Sequence, residues 1–225
     1  IMIIAKTIPE LKQALANSGA IAFVPTMGAL HDGHLSLVDI AKSKADTVVV
    51  SIFVNPTQFA PHEDFDRYPR QIATDAALLA TIGVQAVFAP SVEVMYPDNF
   101  QTTVAVGDIA KPLEGEFRPH FFAGVATVVT RLLLLVGADK AFFGEKDYQQ
   151  LQVIKTLQRD LAIPTDIVGV PTIREESGLA LSSRNAYLST EQREKALAIS
   201  RTLRHMAEQV KAGGTIAQIE AEATQ

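Results

Sequence analysis

The sequence predicts an α/β protein: a Rossmann-like, doubly wound parallel sheet followed by a small helical domain. Three observations carry that prediction. The run at residues 46–54, DTVVVSIFV, is continuously rich in β-branched residues, as befits a strand buried on both faces of a parallel sheet. Strand and helix patterns alternate from the start of the chain, which is the repeating unit of an open sheet covered on both sides. Twice, a strand pattern runs into a glycine, a polar cluster and a helix start, the layout in which ligands meet the carboxyl ends of parallel strands.

Composition narrows the function. With 225 residues, 48% hydrophobic and 20% charged, the chain fills a sizeable core and is not disordered. A net charge of −5 without blocks of like charge argues against a nucleic-acid groove. An anionic ligand must then be met by a local cluster of basic groups and dipoles. Cysteine is absent, so disulfides and thiolate metal sites are excluded; this is compatible with the cytoplasm, the location expected for the chain, without proving it. The apolar run at 132–136 is bounded by Arg131 and Asp139 and falls well short of the ~20 residues of a membrane helix. No basic flank or cleavage site marks a signal peptide. Met2 reads as the natural start, with Ile1 an appendage.

Taken in order, residues 3–5 form a short strand. Pro9 opens a helix through residue 17, proline being tolerated in a first turn, and Gly19 ends it. The strand at 20–24 then enters Pro25-Thr26-Met27-Gly28-Ala29-Leu30-His31-Asp32-Gly33-His34. A turn of this kind before a helix directs free backbone N–H groups and the positive helix end at an anion. Gly33 lets a phosphate approach the backbone without a Cβ in the way, and two imidazoles converge from either side. The bland alternative is a surface turn with a capping histidine. Leu35, Val38 and Ala41 mark the buried face of the helix that follows, through residue 44.

After the 46–54 strand Pro56 stops the ladder, leaving polar residues, Gln58 among them, at the sheet edge. Glu63 and Asp64 read as solvated loop charges, with a magnesium contact as the alternative, and Asp75 reads as a supporting carboxylate at the start of a helix over 75–82. A strand spans 84–89. The stretch 91–124 is irregular, with one strand expected at 102–106, and a loop this long is functional or a lid. A strongly apolar helix covers 125–136, with Arg131 reading as a snorkelling or interface side chain.

The strand at 139–143 leads into Gly144-Glu145-Lys146-Asp147-Tyr148-Gln149-Gln150. Lys146 supplies a point charge for phosphate, Asp147 accepts from ribose hydroxyls, and Gln150 lies one turn along on the same side. The last strand, 164–170, precedes Leu181-Ser182-Ser183-Arg184, where two hydroxyls and a guanidinium in one turn make a phosphate clamp or, more plainly, a helix N-cap with a surface arginine. Thr190 caps a helix whose Ala196, Ile199, Leu203, Met206 and Val210 recur at helical spacing as core or interface, and another helix starts near Thr215.

Four strings, in order, carry a resemblance. PTMGALHDGH contains the HxGH pattern of nucleotidyltransferases that act on the α-phosphate of ATP, and in its longer form resembles the pantothenate synthetase (pantoate–β-alanine ligase) family. FVNPTQF, FGEKDYQQL and GLALSSRN resemble the same family's later segments. The resemblance implies ATP contacts from Met27, Gly28, Ala29, Leu30, His31, Asp32, Gly33 and His34. It adds Gly144, Glu145, Lys146 and Asp147 after the later strand, then Ile173, Leu181, Ser182, Ser183 and Arg184. Pantoate falls to Pro25, Met27, Gln58 and Gln150, and β-alanine to Gln58. His34, His31 and Lys146 are the implied catalytic residues, with Mg²⁺ bridging the phosphates through unassigned ligands.

Implied too are a homodimer and two domains, 1–173 for nucleotide and pantoate and 174–225 as the start of a C-terminal domain carrying the SSR loop. Family members run further, so the chain reads as truncated. It departs from the family's RPGHFxGV at Arg118-Pro119-His120-Phe121-Phe122-Ala123-Gly124-Val125, where His120 takes the glycine's place and Phe121 the histidine's, and no role passes to His120. The implied reaction is attack of the pantoate carboxylate on the α-phosphorus of ATP, then capture of the acyl adenylate by β-alanine. Two rivals stand beside it. A nucleotidyl transfer to a phosphate monoester requires basic residues where Gln58 and Gln150 stand, and a non-catalytic nucleotide-binding module predicts ATP binding without turnover.

Overall fold

A computed structural model describes residues 2–224; Ile1 and Gln225, including the appendage reading of Ile1, lie outside the described residues. Six parallel strands form one sheet: β1 (Ile3–Ala5), β2 (Ile21–Thr26), β3 (Thr47–Ile52), β4 (Ala86–Phe88), β5 (Lys140–Gly144) and β6 (Asp166–Val170). Their spatial order is β1-β4-β3-β2-β5-β6. The helices are α1 (Ile8–Leu15), α2 (Asp32–Lys42), α3 (Ile72–Thr81), α4 (Val92–Met95), α5 (Glu114–Phe117), α6 (Phe121–Val136), α7 (Tyr148–Asp160), α8 (Thr190–Lys211) and α9 (Ile216–Ala223). None is long and apolar enough to cross a membrane.

The pleat sorts each strand's side chains onto two cores. Phe23, Val49, Phe88 and Phe143 point to the side covered by α1, α6 and α7, with Val125, Leu132, Leu133 and Ile154 packed against them. Ala22, Val24, Val48, Val50 and Phe142 point to the other, where Leu37, Val38 and Ala41 of α2 and Leu79 of α3 close the layer. This is why the inner strands read as unbroken apolar runs.

The order reverses at β2, which is flanked by β3 on one side and β5 on the other. Full pairing holds β2 to β3 from Ile21 through Thr26. With β5 the pairing covers only Ala22 with Lys140 and Phe23 with Ala141. Beyond that point the two strands splay, opening a crevice at their carboxyl ends, where doubly wound sheets bind ligands.

Packing divides the chain into two compact units, Ile1–Pro171 and Thr172–Gln225. The second begins with a reversal in which Arg174 bridges Ala180 across a turn at Gly178, whose φ of +97° favours glycine. Leu197 of α8 and Ile219 of α9 are buried in it.

Several expectations are corrected. No strand forms at 102–106: the Val104 N–H donates to Thr127 Oγ1 at 2.9 Å, so the segment runs along α6 and not along a sheet edge. Ser189, not Thr190, caps α8, accepting from the Gln192 N–H while the Gln192 side chain accepts from the Ser189 N–H. Arg131 does not snorkel: its guanidinium lies 5.2 Å from the Phe100 ring centroid and its Nη2 donates to the Val94 carbonyl. Of the two readings of the α8 stripe, core or interface, the first is excluded for Ile199, Leu203 and Val210, which are 68, 55 and 58% exposed.

Candidate active site

The residues after β2 form a compact turn. Gly28 and Ala29 both have positive φ, +83° and +51°, which reverses the chain between strand and helix. A Cβ on Gly28 would lie 3.0 Å from both Asp75 Oδ2 and Ile52 Cγ2, so this position needs glycine for space as well as conformation. The turn is not the open row of N–H donors that its sequence predicts. Gly28 N–H donates to Thr26 Oγ1 at 3.1 Å, and the N–H groups of Ala29 and Leu30 donate to the Asp75 carboxylate at 2.9 and 3.0 Å.

The two histidines complete the pattern. His31 caps α2, its Nδ1 accepting from the Gly33 N–H at 3.1 Å, while His34 Nδ1 accepts from the His31 N–H at 3.3 Å. Their ring centroids are 4.1 Å apart. The capping reading of His31 is therefore correct, and it has a chemical consequence. A neutral imidazole whose Nδ1 accepts carries its proton on Nε2. Both rings are thus fixed in the tautomer that presents an Nε2–H donor away from the backbone.

Their electrostatics keep them neutral. Burial, then the neighbouring His31 and the Lys146 ammonium, lower His34 to about 3. Burial and the same ammonium lower His31, with Asp32 opposing. Lys146, in the middle of the 3₁₀ turn Glu145–Asp147 after β5, therefore acts on both imidazoles across the β2/β5 crevice. The structure brings His31, His34 and Lys146 together, with Asp147 Oδ1 3.5 Å from Lys146 Nζ. Glu145 leans the other way, over Gly169 of β6, whose Cβ would meet its Oε1 at 3.2 Å.

A measurable acid sensitivity follows. Unfolded histidine takes up a proton near pH 6.5, whereas His34 in the fold refuses it until about 3, so the unfolded chain binds more protons between these values. Stability from this group is complete above pH 6.5 and declines as pH falls. The slope is at most about 1.4 kcal/mol per pH unit for one proton. Urea denaturation at steps between pH 6.5 and 5, above the carboxylate range, should show the decline, and His34→Gln should flatten it.

The turn after β3 supplies Gln58. Buried Asn55 organises it: its Oδ1 accepts from Tyr96 OH at 2.8 Å and Thr57 Oγ1 at 3.0 Å, and its Nδ2 donates to Gln58 Oε1 at 3.1 Å. With Oε1 held, Gln58 Nε2 faces Met27 Sδ at 3.4 Å, joining two of the four residues to which the resemblance gives pantoate. Arg118 fixes the same turn from outside, donating to the Gln58 carbonyl at 3.0 Å and forking onto Glu63 at 2.7 and 2.5 Å. That pairing holds the Glu63 carboxyl below its ordinary range. Glu63 is thus a structural anchor and neither a solvated charge nor a free metal ligand. Gln150 lies half-buried in the first turn of α7 with no side-chain hydrogen bond among the described residues, whereas its neighbour Gln149 pins the loop at Ile109, Pro112 and Glu114. His120 is exposed, and Phe121 lies under the Arg118 guanidinium, 4.0 Å away.

In the second unit, Ser182 Oγ accepts from the Arg184 N–H at 3.3 Å at the head of the turn Ser183–Tyr187. Asn185 donates to the Ala180 carbonyl, and Arg193 ties Asn185 O to Glu175. Leu181 N–H donates to the Ile173 carbonyl. The SSR turn is thereby braced from both sides within its own unit.

The role of Asn55 and the Arg118–Glu63 pairing escape sequence reasoning. Asn55 sits inside the FVNPTQF string, and that was the available signal; the arginine partner has none.

Comparison with known proteins gives a consistent result. The family model described as pantoate-beta-alanine ligase matches residues 3–225. A pantothenate synthetase from Caulobacter vibrioides is 52% identical over 98% of this chain and 79% of its own length. One from Thermus thermophilus is 55% identical over 94% of this chain and 77% of its own. A crystal structure of the Thermus thermophilus enzyme superposes with a TM-score of 0.95 at 51% identity, covering 99% of this chain and 81% of that one. The pantoate-beta-alanine ligase of Francisella tularensis, solved with beta-gamma ATP and beta-alanine, gives 0.85 at 45% identity, covering 91% and 80%.

Proposed function

The chain belongs to the pantoate–β-alanine ligase family, and we propose that it performs the ATP-dependent condensation of pantoate with β-alanine at the mouth of β2 and β5, through a pantoyl adenylate. One observation carries the placement: His31, His34 and Lys146 converge there from two different strand ends, with Met27 and Gln58 joined beside them.

In the first step a pantoate carboxylate oxygen bonds to the α-phosphorus and the bond to the bridging oxygen of the β-phosphate breaks, releasing pyrophosphate. Charge moves toward the leaving phosphates. The Nε2–H groups of His34 and His31 and the Lys146 ammonium are the donors aimed at that charge, and because they are already oriented they act without reorganisation. In the second step the β-alanine amine bonds to the acyl carbon, the bond to AMP breaks, and the amine loses a proton.

Gln58, with Oε1 held by Asn55, offers an amide N–H to pantoate beside Met27, and Gln150 has an unengaged amide for the same substrate. Neutral amides suit a hydroxylated acid; transfer to a phosphate monoester calls for basic groups in those places. Pro25, Gly28, Asp32, Gly33, Gly144 and Asp147 line the same strand ends and belong to this proposal. Ala29 and Leu30 contribute through the shape of the turn, since their N–H groups are engaged by Asp75. Ser182, Ser183 and Arg184, with Ile173 and Leu181 beside them, are proposed as a phosphate-binding group on the chemistry of two hydroxyls and a guanidinium.

Among the described residues no three His, Asp or Glu side chains form a metal cage. The carboxylates beside the cluster are single ones, Asp32 and Asp147. That donor set fits a Mg²⁺ carried on the phosphates, which keeps water and phosphate oxygens as most of its ligands. Asp32 and Asp147 would hold it, and it would neutralise phosphate charge. A homodimer and a cytoplasmic location complete the proposal, supported by the family resemblance.

The test is exchange of labelled pyrophosphate into ATP with Mg²⁺ and no β-alanine. Exchange that requires pantoate is expected. Exchange without pantoate, or none in a protein that makes pantothenate, would overturn the adenylate.

A further inference from the structure

Asp75 is 1% exposed, yet among the described residues its carboxylate pairs with no cation. Its Oδ2 accepts from the Ala29 N–H at 2.9 Å; its Oδ1 accepts from the Leu30 N–H at 3.0 Å and from Gln71 Nε2 at 3.2 Å. It lies in the first turn of α3, where the helix end favours negative charge. Successive backbone N–H groups around left-handed residues form a concavity that binds anions. Gly28 and Ala29 are two such residues in a row. The anion that fills this nest is the protein's own.

We propose that Asp75 is a positioning residue for the reaction. Its carboxylate holds Ala29 in a left-handed conformation that alanine otherwise avoids, and so sets the entry of the chain into α2, where His31 and His34 stand. Phosphate is then received by the imidazole Nε2–H groups and Lys146, not by the N–H groups of the turn. The inference rests on the reading of those histidines as phosphate donors. The link is short: Leu30, gripped by Asp75, is followed directly by His31, whose own N–H fixes His34.

Asp75→Asn tests it. Asparagine keeps one acceptor and turns an NH₂ against the second N–H, so the turn loosens while side-chain volume is unchanged. Wild-type exchange with pantoate is measured first; its absence would sink the reading of the reaction, separately from this proposal. With the wild type active, Asp75→Asn is expected to lower the kcat of pantoate-dependent exchange about 100-fold, the scale of an ångström-level misplacement of reacting groups. Adding Ala29→Gly, which makes positive φ inexpensive, should recover about fivefold of that loss. A role confined to holding the fold predicts a lower melting temperature with normal kcat per folded molecule, and that result overturns the proposal; so does a kcat loss of which Ala29→Gly recovers nothing. Should Asp75→Asn not fold, Gln71→Ala gives the graded version. It leaves the carboxylate its two N–H partners, and about threefold lower kcat is expected. Unchanged kcat there, beside an unfolded Asp75→Asn, overturns positioning in favour of structure alone.

Discussion

His34→Ala should lose pantoate-dependent pyrophosphate exchange by about two to three orders of magnitude while the protein stays folded. The size follows from what is removed. His34 presents a neutral Nε2–H whose direction is fixed by the bond from the His31 N–H to its Nδ1. Deleting one pre-aimed donor at a site of developing negative charge costs about 10²–10³ in kcat. The fold should survive at some cost in stability: alanine removes a largely buried ring and the acceptor of the His31 N–H, but leaves the backbone of α2 and the His31 cap on Gly33 in place. His31→Ala should cost less in rate, its ring being the less desolvated of the two, though it also uncaps α2, worth about 1 kcal/mol of stability. His34→Gln retains an amide donor and should fall between wild type and alanine. The pH profile supplies a second check. A donor that works as the neutral imidazole is present throughout the neutral range, so exchange should not decline as pH rises from 6 to 8. Turnover of His34→Ala within a few-fold of wild type would remove the histidine from the mechanism.

How much of this was legible beforehand depends on distance along the chain. The inner strands announce themselves because each is apolar on both faces, and the residues after β2 and β5 announce the site because strand, glycine and polar cluster are contiguous. The organisation of those residues is not contiguous. Asp75 grips a turn 45 and 46 positions away, and Arg118 reaches Glu63 across 55. No local pattern reports such pairs, so Asp75 looks like any helix-start carboxylate and Glu63 like any loop charge. The strand expected at 102–106 fails for the same reason. Thr102, Thr103, Val104 and Val106 have the right composition, but strand formation needs a partner edge, and a threonine of α6 takes the Val104 N–H instead. The cap of α8 was legible and was misread by one residue: Ser189 with Gln192 three positions on is the reciprocal pattern, and a hydroxyl at Thr190 competes with it only by eye.

Gly124→Ala should damage pantoate binding more than ATP binding, through the turn on which Gly124 packs. Gly124 lies in the first part of α6, with its backbone packed directly on the turn that carries Gln58. A Cβ there would stand 2.4 Å from the Thr57 carbonyl oxygen and 2.9 Å from Gln58 Cα. Both neighbours are backbone, so no side chain can rotate away; the turn has to move by about an ångström to restore ordinary contact. It is also tethered to the same residue, since Asn55 Nδ2 donates to the Gly124 carbonyl at 3.2 Å while holding Gln58 Oε1 at 3.1 Å. Displacing the turn therefore strains the bond that orients the Gln58 amide beside Met27. Alanine gains up to about 1 kcal/mol over glycine as a helix former, but overpacking against backbone costs about 1–3 kcal/mol, so a modest net loss of stability is expected. With ATP saturating, the KM for pantoate should rise about 100-fold, the KM for ATP should change by less than a factor of about three, and kcat should fall less than KM rises. Steady-state rates with each substrate varied in turn decide it. Equal shifts in both KM values would mean that α6 transmits the strain to the whole crevice, and an unchanged pantoate KM would mean that Gln58 is not held in place by the helix beneath it.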